Sequence, residues 1–142
     1  MIEAVLTGLY TKVTELTGGV HNTFYTAIGG RWYDNEAPQE ATLPYAVVST
    51  FDVTAGYTFD HDTETVPIDI HIYSEDTDNT EIDDILAKLK TLLEPSPGAG
   101  WIILAIEGYT QISFKREFMT RFKDDDGFWN GIVDYIVEIQ KT

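Results

Sequence analysis

The chain has 142 residues, of which 43% are hydrophobic, and it contains no cysteine. This length and composition predict one folded domain with its own core, and they exclude a disulfide framework or a thiolate metal site. The 24 acidic and 9 basic side chains give a formal net charge of −15, which argues against a protein that binds nucleic acid through clustered Lys and Arg. The charge fits either simple solubility or a basic partner, and composition does not separate these two.

The chain opens with an amphipathic pattern. Apolar residues recur at steps of three and four from Ile2 to Leu16, which predicts a helix that Gly18 and Gly19 would end. The pattern of the next segment is mixed. We interpret it as three short pieces: a strand or turn at residues 21–28, a β element at 31–33 and a loop at 34–42.

Two strands are predicted on either side of a polar segment. In residues 45–53, the face that carries Tyr45 and Phe51 is the better candidate for the core, and Pro44 favours an extended entry. Residues 66–74 alternate with a period of two, as a strand does when one of its faces lies on a core. The face of this second strand that we assign to the core carries Val66, Ile68, Ile70 and Ile72; the opposite face carries Pro67, Asp69, His71 and Tyr73.

The polar segment between the strands, residues 54–65, is longer than a tight hairpin turn requires. It forms either a projecting β-arm or a loop. A segment of this length inside a small domain is often functional. We therefore predict partner contacts at its aromatic and charged residues, which are Tyr57, Phe59, Asp60, His61 and Asp62.

The second half of the chain predicts one helix and three strands. The helix follows Thr80, a plausible N-cap, and ends before Pro95. The strands are expected at residues 101–106, 109–120 and 131–140. In the middle strand we expect Ile112, Phe114 and Phe118 to share one face. The last strand should present Val133, Tyr135, Val137 and Ile139 to the core.

A loop is expected at residues 121–130, between the last two strands. It contains three consecutive acidic residues followed by a glycine and two aromatic residues. Aromatic side chains are favoured anchors at protein interfaces, although they also fold back on their own domain. We predict a second partner-contact surface here, at Asp124, Asp125, Asp126, Phe128 and Trp129.

Together these elements predict an α+β fold, with a mainly antiparallel β-sheet and two helices packed on one of its faces. Residues 1–142 would form a single domain. The sequence contains no apolar run of the roughly 18 residues that a membrane span needs, and residues 1–16 do not resemble a signal peptide. We expect no membrane partner.

The sequence carries no recognisable catalytic or metal-binding motif. Its three histidines, His21, His61 and His71, form no paired zinc motif, and the acidic clusters lack the spacing of a calcium-binding loop. Nucleophile and phosphate-binding motifs are missing as well. We therefore predict a protein that is not an enzyme and that needs neither a cofactor nor a metal.

The chain resembles the tail terminator and tail-completion proteins, of the tail-to-head joining type, of long-tailed phages. The resemblance rests on the N-terminal amphipathic helix, on Leu43-Pro44-Tyr45, and on the strand at residues 66–74 with the acidic turn and short helix behind it. It extends to the final strand around Asp134-Tyr135. These features cover nearly the whole chain.

The resemblance implies a structural virion protein of the tail and neck region, assembled in the host cytoplasm. Such proteins form a ring, commonly a hexamer, that caps the head-proximal end of the tail tube, ends tube polymerisation and joins the tail to the head connector. The implied partners are other copies of the chain, the tail tube protein and the head–tail connector or neck protein. DNA would pass through the lumen without specific binding. The alternatives are a head-side neck or stopper protein and a non-viral acidic protein-binding module.

Overall fold

A computed structural model describes residues 1–50, 52–57, 62–94 and 100–142. These residues form three helices: α1 (Ile2–Thr14), α2 (Thr23–Ala27) and α3 (Thr80–Leu93). The first strands are β1 (Leu16–Thr17), β2 (Val20–His21), β3 (Trp32–Asp34), β4 (Tyr45–Thr50) and β5 (Thr54–Tyr57). The longest strands are β6 (Asp62–Ser74), β7 (Tyr109–Lys123) and β8 (Trp129–Lys141).

The main sheet has the strand order β3-β4-β6-β8-β7, with β5 paired to β6 beside this path. All of its pairings are antiparallel except that between β3 and β4. The predicted α+β fold with a mainly antiparallel sheet is therefore confirmed. A separate two-stranded sheet, β1 with β2, follows the first helix.

The core lies between one face of the sheet and the helices, and we call this the covered face. The alternation predicted for β6 is confirmed, because Val66, Ile68, Ile70 and Ile72 are all fully buried. The inward residues of β8 are fully buried as predicted: Val133, Tyr135, Val137 and Ile139. Burying such side chains stabilises a fold by about 1.5–3 kcal/mol each. Helices α1 and α3 add Val5, Leu9, Ile82, Ile85 and Leu89 to the same core.

The structure corrects the predicted core face of β4. Ala46 and Val48 are the buried residues of this strand, whereas Tyr45 and Val47 are only partly buried. Phe51, the residue that favoured the other face, lies outside the described residues. The register explains the reversal, because Ala46 and Val48 lie opposite the buried Ile72 and Ile70 of β6.

Residues 101–106 were predicted as a strand, and this prediction is wrong. The segment alternates as a strand does, with Leu104 and Ile106 buried and Ile103 exposed, but it pairs with no strand in the described residues. The side chain of Gln111 binds its backbone instead. Its Oε1 accepts a hydrogen bond from the Leu104 amide, and its Nε2 donates to the Ile102 carbonyl.

Two β-bulges correct the face predicted for β7. The register with β8 shifts between Gln111 and Ser113 and again between Arg116 and Phe118. Each bulge inserts one residue and reverses the side chains that follow. Phe114 is consequently buried while Phe118 is 49% exposed, so the two residues do not share a face.

Two smaller predictions about helices need correction. The short helix α2 was missed, since residues 21–28 were interpreted as a strand or turn. Thr80 is the first residue of α3 and not its N-cap. The carboxylate of Asp78 accepts hydrogen bonds from the amide and the hydroxyl of Thr80, at 2.7 and 2.5 Å.

Within the polar segment at residues 54–65, β5 pairs with the beginning of β6, from Thr54 opposite Thr65 to Tyr57 opposite Asp62. The same part of β6 also pairs with the end of β8. These residues therefore extend the main sheet on the side of β6 where β4 lies. Phe59, Asp60 and His61 lie outside the described residues.

Candidate interaction surfaces

The second face of the sheet, which we call the open face, carries the side chains that point away from the core. Across β6 and β8 it consists of partly buried residues, including Pro67, Asp69, His71, Ile132 and Ile136. This face combines aromatic, aliphatic and charged groups on a rigid scaffold. Such a composition suits contact with another protein surface.

Aromatic side chains cross the open face in a row. The ring centroids of Tyr33 and Tyr45 are 5.7 Å apart, and those of Tyr45 and Tyr73 are 4.9 Å apart. The row continues with His71, stacked on Tyr73 at 4.1 Å, and reaches Phe122 on β7 at 6.3 Å. Five strand positions on β3, β4, β6 and β7 thus form one continuous aromatic row.

The row is fixed at one end by the β7–β8 turn. Asp124 is folded into this turn, because its Oδ1 accepts hydrogen bonds from the amides of Asp126 and Phe128. Its Oδ2 accepts a hydrogen bond from Asn130 Nδ2 at 3.0 Å. Gly127, with φ of +87°, provides the left-handed conformation that the turn needs.

Asn130 connects the turn to the aromatic row. It is 3% exposed, and its Oδ1 lies 3.1 Å from His71 Nε2. Because the amide nitrogen of Asn130 already donates to Asp124, its oxygen must accept, and His71 therefore donates from Nε2. The Tyr73 hydroxyl, 3.3 Å away, can then donate to His71 Nδ1.

Donation from Tyr73 to Nδ1 needs a neutral imidazole, whereas a protonated ring would donate from Nδ1 to the Tyr73 hydroxyl. Burial lowers the pKa of His71, and the hydrogen bond to Asn130 opposes that shift. The alternation of β6 placed His71 on the face away from the core, without indicating a partner. His71 does form hydrogen bonds, but its link to Asn130 spans 59 positions of the chain, which no local pattern shows.

Two carboxyl groups face each other on the open face, where Asp69 of β6 pairs with Asp134 of β8. The pKa of Asp69 is raised to about 6 by burial first and by the charge of Asp134 second. The pKa of Asp134 is raised by burial and by Glu117. Asp134 Oδ1 is buried without a hydrogen-bond partner, and a proton on Asp69 would supply the missing donor.

The predicted contact residues in the described part of the chain lie at opposite ends of the long strands. Asp62 is exposed at the start of β6, and Asp125, Asp126 and Phe128 are exposed in the β7–β8 turn. Trp129 is partly buried. Its indole nitrogen donates to the Thr77 carbonyl, and the guanidinium of Arg121 lies 4.9 Å from the centre of its ring.

The surfaces described above hold no recognisable metal site. Among residues 1–50, 52–57, 62–94 and 100–142, no group of three His, Cys, Asp or Glu side chains could hold a metal ion. None of the helices in these segments is long and apolar enough to cross a membrane.

Comparison with solved structures defines the class to which this fold belongs. The chain is similar to one in the structure described as "Virion of native gene transfer agent (GTA) particle", with a TM-score of 0.76 over 97% of this chain and 96% of the other. The two sequences are 12% identical, so this likeness concerns the fold. The chain therefore shares its fold with a virion protein. No curated protein sequence matches it.

The sequence itself identifies the family. Residues 14–140 match the family described as "Tail completion protein gp17". The chain belongs to this family, and it is a structural protein of the tail of a phage virion. The resemblance to tail-completion proteins is thereby confirmed.

Proposed function

We propose that this protein caps the head-proximal end of the tail tube as a ring, ends tube polymerisation and joins the tail to the head connector. The observation that carries the proposal is the family match over residues 14–140. The expected ring contains six copies. Its partners would be the tail tube protein on one side and the connector or neck protein on the other.

The shape of the sheet suits a ring. Its two outermost strands differ: β3 is a short strand parallel to its neighbour, and β7 is a long antiparallel strand. When two unlike surfaces of identical subunits meet head to tail, a closed ring forms if the rotation closes. Two unlike edges are therefore the kind of surface that such an assembly needs.

The acidic surface suits a channel for DNA. The net charge of −15 recurs in every copy, so a ring would repel phosphate groups and let the genome slide through. Screening over about 8–10 Å at cellular ionic strength makes side chains that line the lumen matter most. The purified ring should therefore not retain double-stranded DNA in a filter-binding assay at low salt.

The predicted contact segments give a direct test of the capping role. Replacing residues 58–61 by Asn-Gly would join β5 to β6 through a two-residue turn that keeps Tyr57 opposite Asp62. If this segment meets the tail, the shortened protein should still form rings but should no longer cap tubes. Tubes of normal length and normal head joining with this variant would rule out the role of the segment.

The β7–β8 turn, at the other end of the long strands, offers the matching test. Asp125→Ser with Asp126→Ser changes two exposed acids and leaves Asp124, which holds the turn together. Loss of head joining with normal tube capping would assign this turn to the connector side. Co-sedimentation of the unaltered protein with head connectors, but never with tubes, would instead make it a head-side neck or stopper protein.

A further inference from the structure

We propose that neighbouring copies of this chain meet head to tail, with the β7 side of one copy seated in a groove between α1 and β3 of the next. This proposal names the subunit contact of the ring and so rests on the proposed function. The partner is a second copy of the chain. The proposal is based on charge and apolar exposure at the two lateral ends of the sheet. One end is β7, and the other is β3 with α1 beside it.

The β7 side carries much of the positive charge of an otherwise acidic chain. Four of the nine basic residues lie on this strand: Lys115, Arg116, Arg121 and Lys123. In the described residues β7 pairs with β8 alone, so its outer edge is unpaired. The strand also exposes large apolar side chains, with Phe118 at 49% and Phe122 at 41%.

A groove of about 350 Å³ runs beside this edge, between β7 and α3. Lys90 and Arg121 line it, together with Asp83, whose carboxylate lies 2.8 Å from Arg121. Arg116 is bridged to Glu94 at 3.5 Å. These acids offset part of the charge, but β7 itself carries four basic side chains against one acidic one, Glu117, so the strand keeps an excess of basic groups.

The opposite end of the sheet has the complementary character. A groove of about 470 Å³ lies between α1 and β3, with an apolar lining of Ile2, Leu6, Tyr10, Trp32 and Val48. Tyr10 is 51% exposed and Ile2 is 40% exposed, so the groove leaves apolar helix surface open to solvent. Its charged lining residues are both acidic, Glu3 and Asp34. The sequence contains no Lys or Arg between Arg31 and Lys88.

The charges of these two ends attract each other, whereas two copies of the same end would repel each other. Pairing β7 with β7 would bring basic groups together, and pairing two α1–β3 grooves would bring acidic groups together. Like charges brought face to face in an interface are strongly unfavourable. Only the head-to-tail contact matches basic with acidic groups and covers apolar side chains on both sides. A contact between unlike surfaces is the kind that closes into a ring.

The experiment exchanges the charges at the two ends. Variant one carries Lys90→Glu and Arg121→Glu, which makes both ends acidic; variant two carries Glu3→Lys and Asp34→Lys, which makes both ends basic. Each alone should need at least roughly tenfold more protein to assemble than the unaltered chain, measured by analytical ultracentrifugation. An equimolar mixture of the two should assemble, because every contact in an alternating ring again pairs opposite charges. The chain that carries all four changes should assemble by itself.

The control is Lys12→Glu with Lys141→Glu, which changes net charge as much as variant one but lies outside both grooves. It should assemble normally. Because Arg121 also holds Asp83, Lys90→Glu with Lys123→Glu gives the same reversal without touching that bridge, and circular dichroism checks folding in each case.

If the unaltered chain forms rings and the reversed variants do too, or if mixing restores nothing, the contact is wrong while the ring stands. If the unaltered chain stays monomeric, the ring and the contact both fail.

Discussion

The two faces of the main sheet are built on the same alternation but serve different needs. On the covered face, β6 and β8 present fully buried aliphatic residues and Tyr135 to the helices. On the open face, the same strands present four partly buried residues: His71 and Tyr73, which are linked by stacking and a hydrogen bond, and the carboxyl pair Asp69 and Asp134. The covered face holds the fold together, and the open face can be changed more freely. Substitutions on the two faces should therefore differ in size and, in one case, in sign.

The largest expected effect is on the covered face. Ile70→Ala should lower the free energy of unfolding by about 3 kcal/mol, because it removes a fully buried side chain and leaves a cavity. The matched change on the open face, Ile136→Ala, should cost about 1 kcal/mol, since Ile136 is only partly buried. Urea denaturation measures both. Equal losses at the two sites would erase the distinction between the faces.

The turn that supports the open face should give the next largest effect. Asn130→Ala should cost about 2 kcal/mol, because it removes a buried side chain and leaves the partly buried His71 Nε2 without its acceptor. The ring proton signals of His71 should shift as the imidazole loses this acceptor. Urea denaturation and NMR of the histidine ring check the two parts. A variant that loses no stability and leaves the His71 signals in place would show that the network does not support the face.

A close contact between α1 and residues 101–106 should give a smaller effect. A methyl group added at Gly8 would lie 2.7 Å from the Ala105 carbonyl oxygen, so α1 and residues 101–106 would have to separate. Gly8→Ala gains helix propensity but should still cost about 1 kcal/mol overall. Thermal unfolding compares it with Thr11→Ala, an exposed position of the same helix. A gain in stability for Gly8→Ala would show that the two segments are loosely packed.

The smallest predicted effect has the opposite sign and depends on pH. The pKa of Asp69 is raised from its ordinary value of 3.8 to about 6, so the folded state binds this proton more tightly than the unfolded chain. Stability should therefore fall as pH rises from about 4 to 6. Asp69→Asn removes the repulsion with Asp134 and should raise stability at pH 7.5 by up to about 1 kcal/mol, after allowance for partial exposure.

This gain should shrink as the pH falls towards 4, where Asp69 is protonated in the folded state and partly protonated in the unfolded chain. Asp125→Asn removes the same charge at an exposed turn position and provides the control. Urea denaturation at pH 4 and 7.5 measures both variants. A gain of equal size at the two pH values, or one shared by the control, would mean that the carboxyl pair is not its cause.

Local patterns were sufficient for the elements with one strongly apolar face. The alternation of β6 and β8 predicted what these strands bury. The spacing of α1 was right for Val5, Leu9 and Val13 but not for Ile2 and Tyr10, which are exposed. The pattern of β4 was ambiguous because both of its faces are apolar, and only pairing with β6 decides that Ala46 and Val48 point inward. The bulges in β7 depend on its register with β8, which the sequence does not display.

The site was less predictable than the fold, because its contacts join distant parts of the chain. The link from His71 to Asn130 and the pair formed by Asp69 and Asp134 require strands β6 and β8 to be in register. Residues 101–106 show a further limit, since their alternation is real but the side chain of Gln111 takes the place of a partner strand. Hydrophobic patterning predicts burial, and it does not tell which group completes the backbone hydrogen bonds.

Electron microscopy of tail tubes assembled with and without this protein tests the proposed function most directly. We predict that purified tail tube protein alone polymerises to indefinite length, and that adding this protein yields shorter tubes with a ring at one end only. The fraction of capped tubes should rise with its concentration. Tubes of unchanged length, with no ring at either end even when this protein is in excess, would contradict the account.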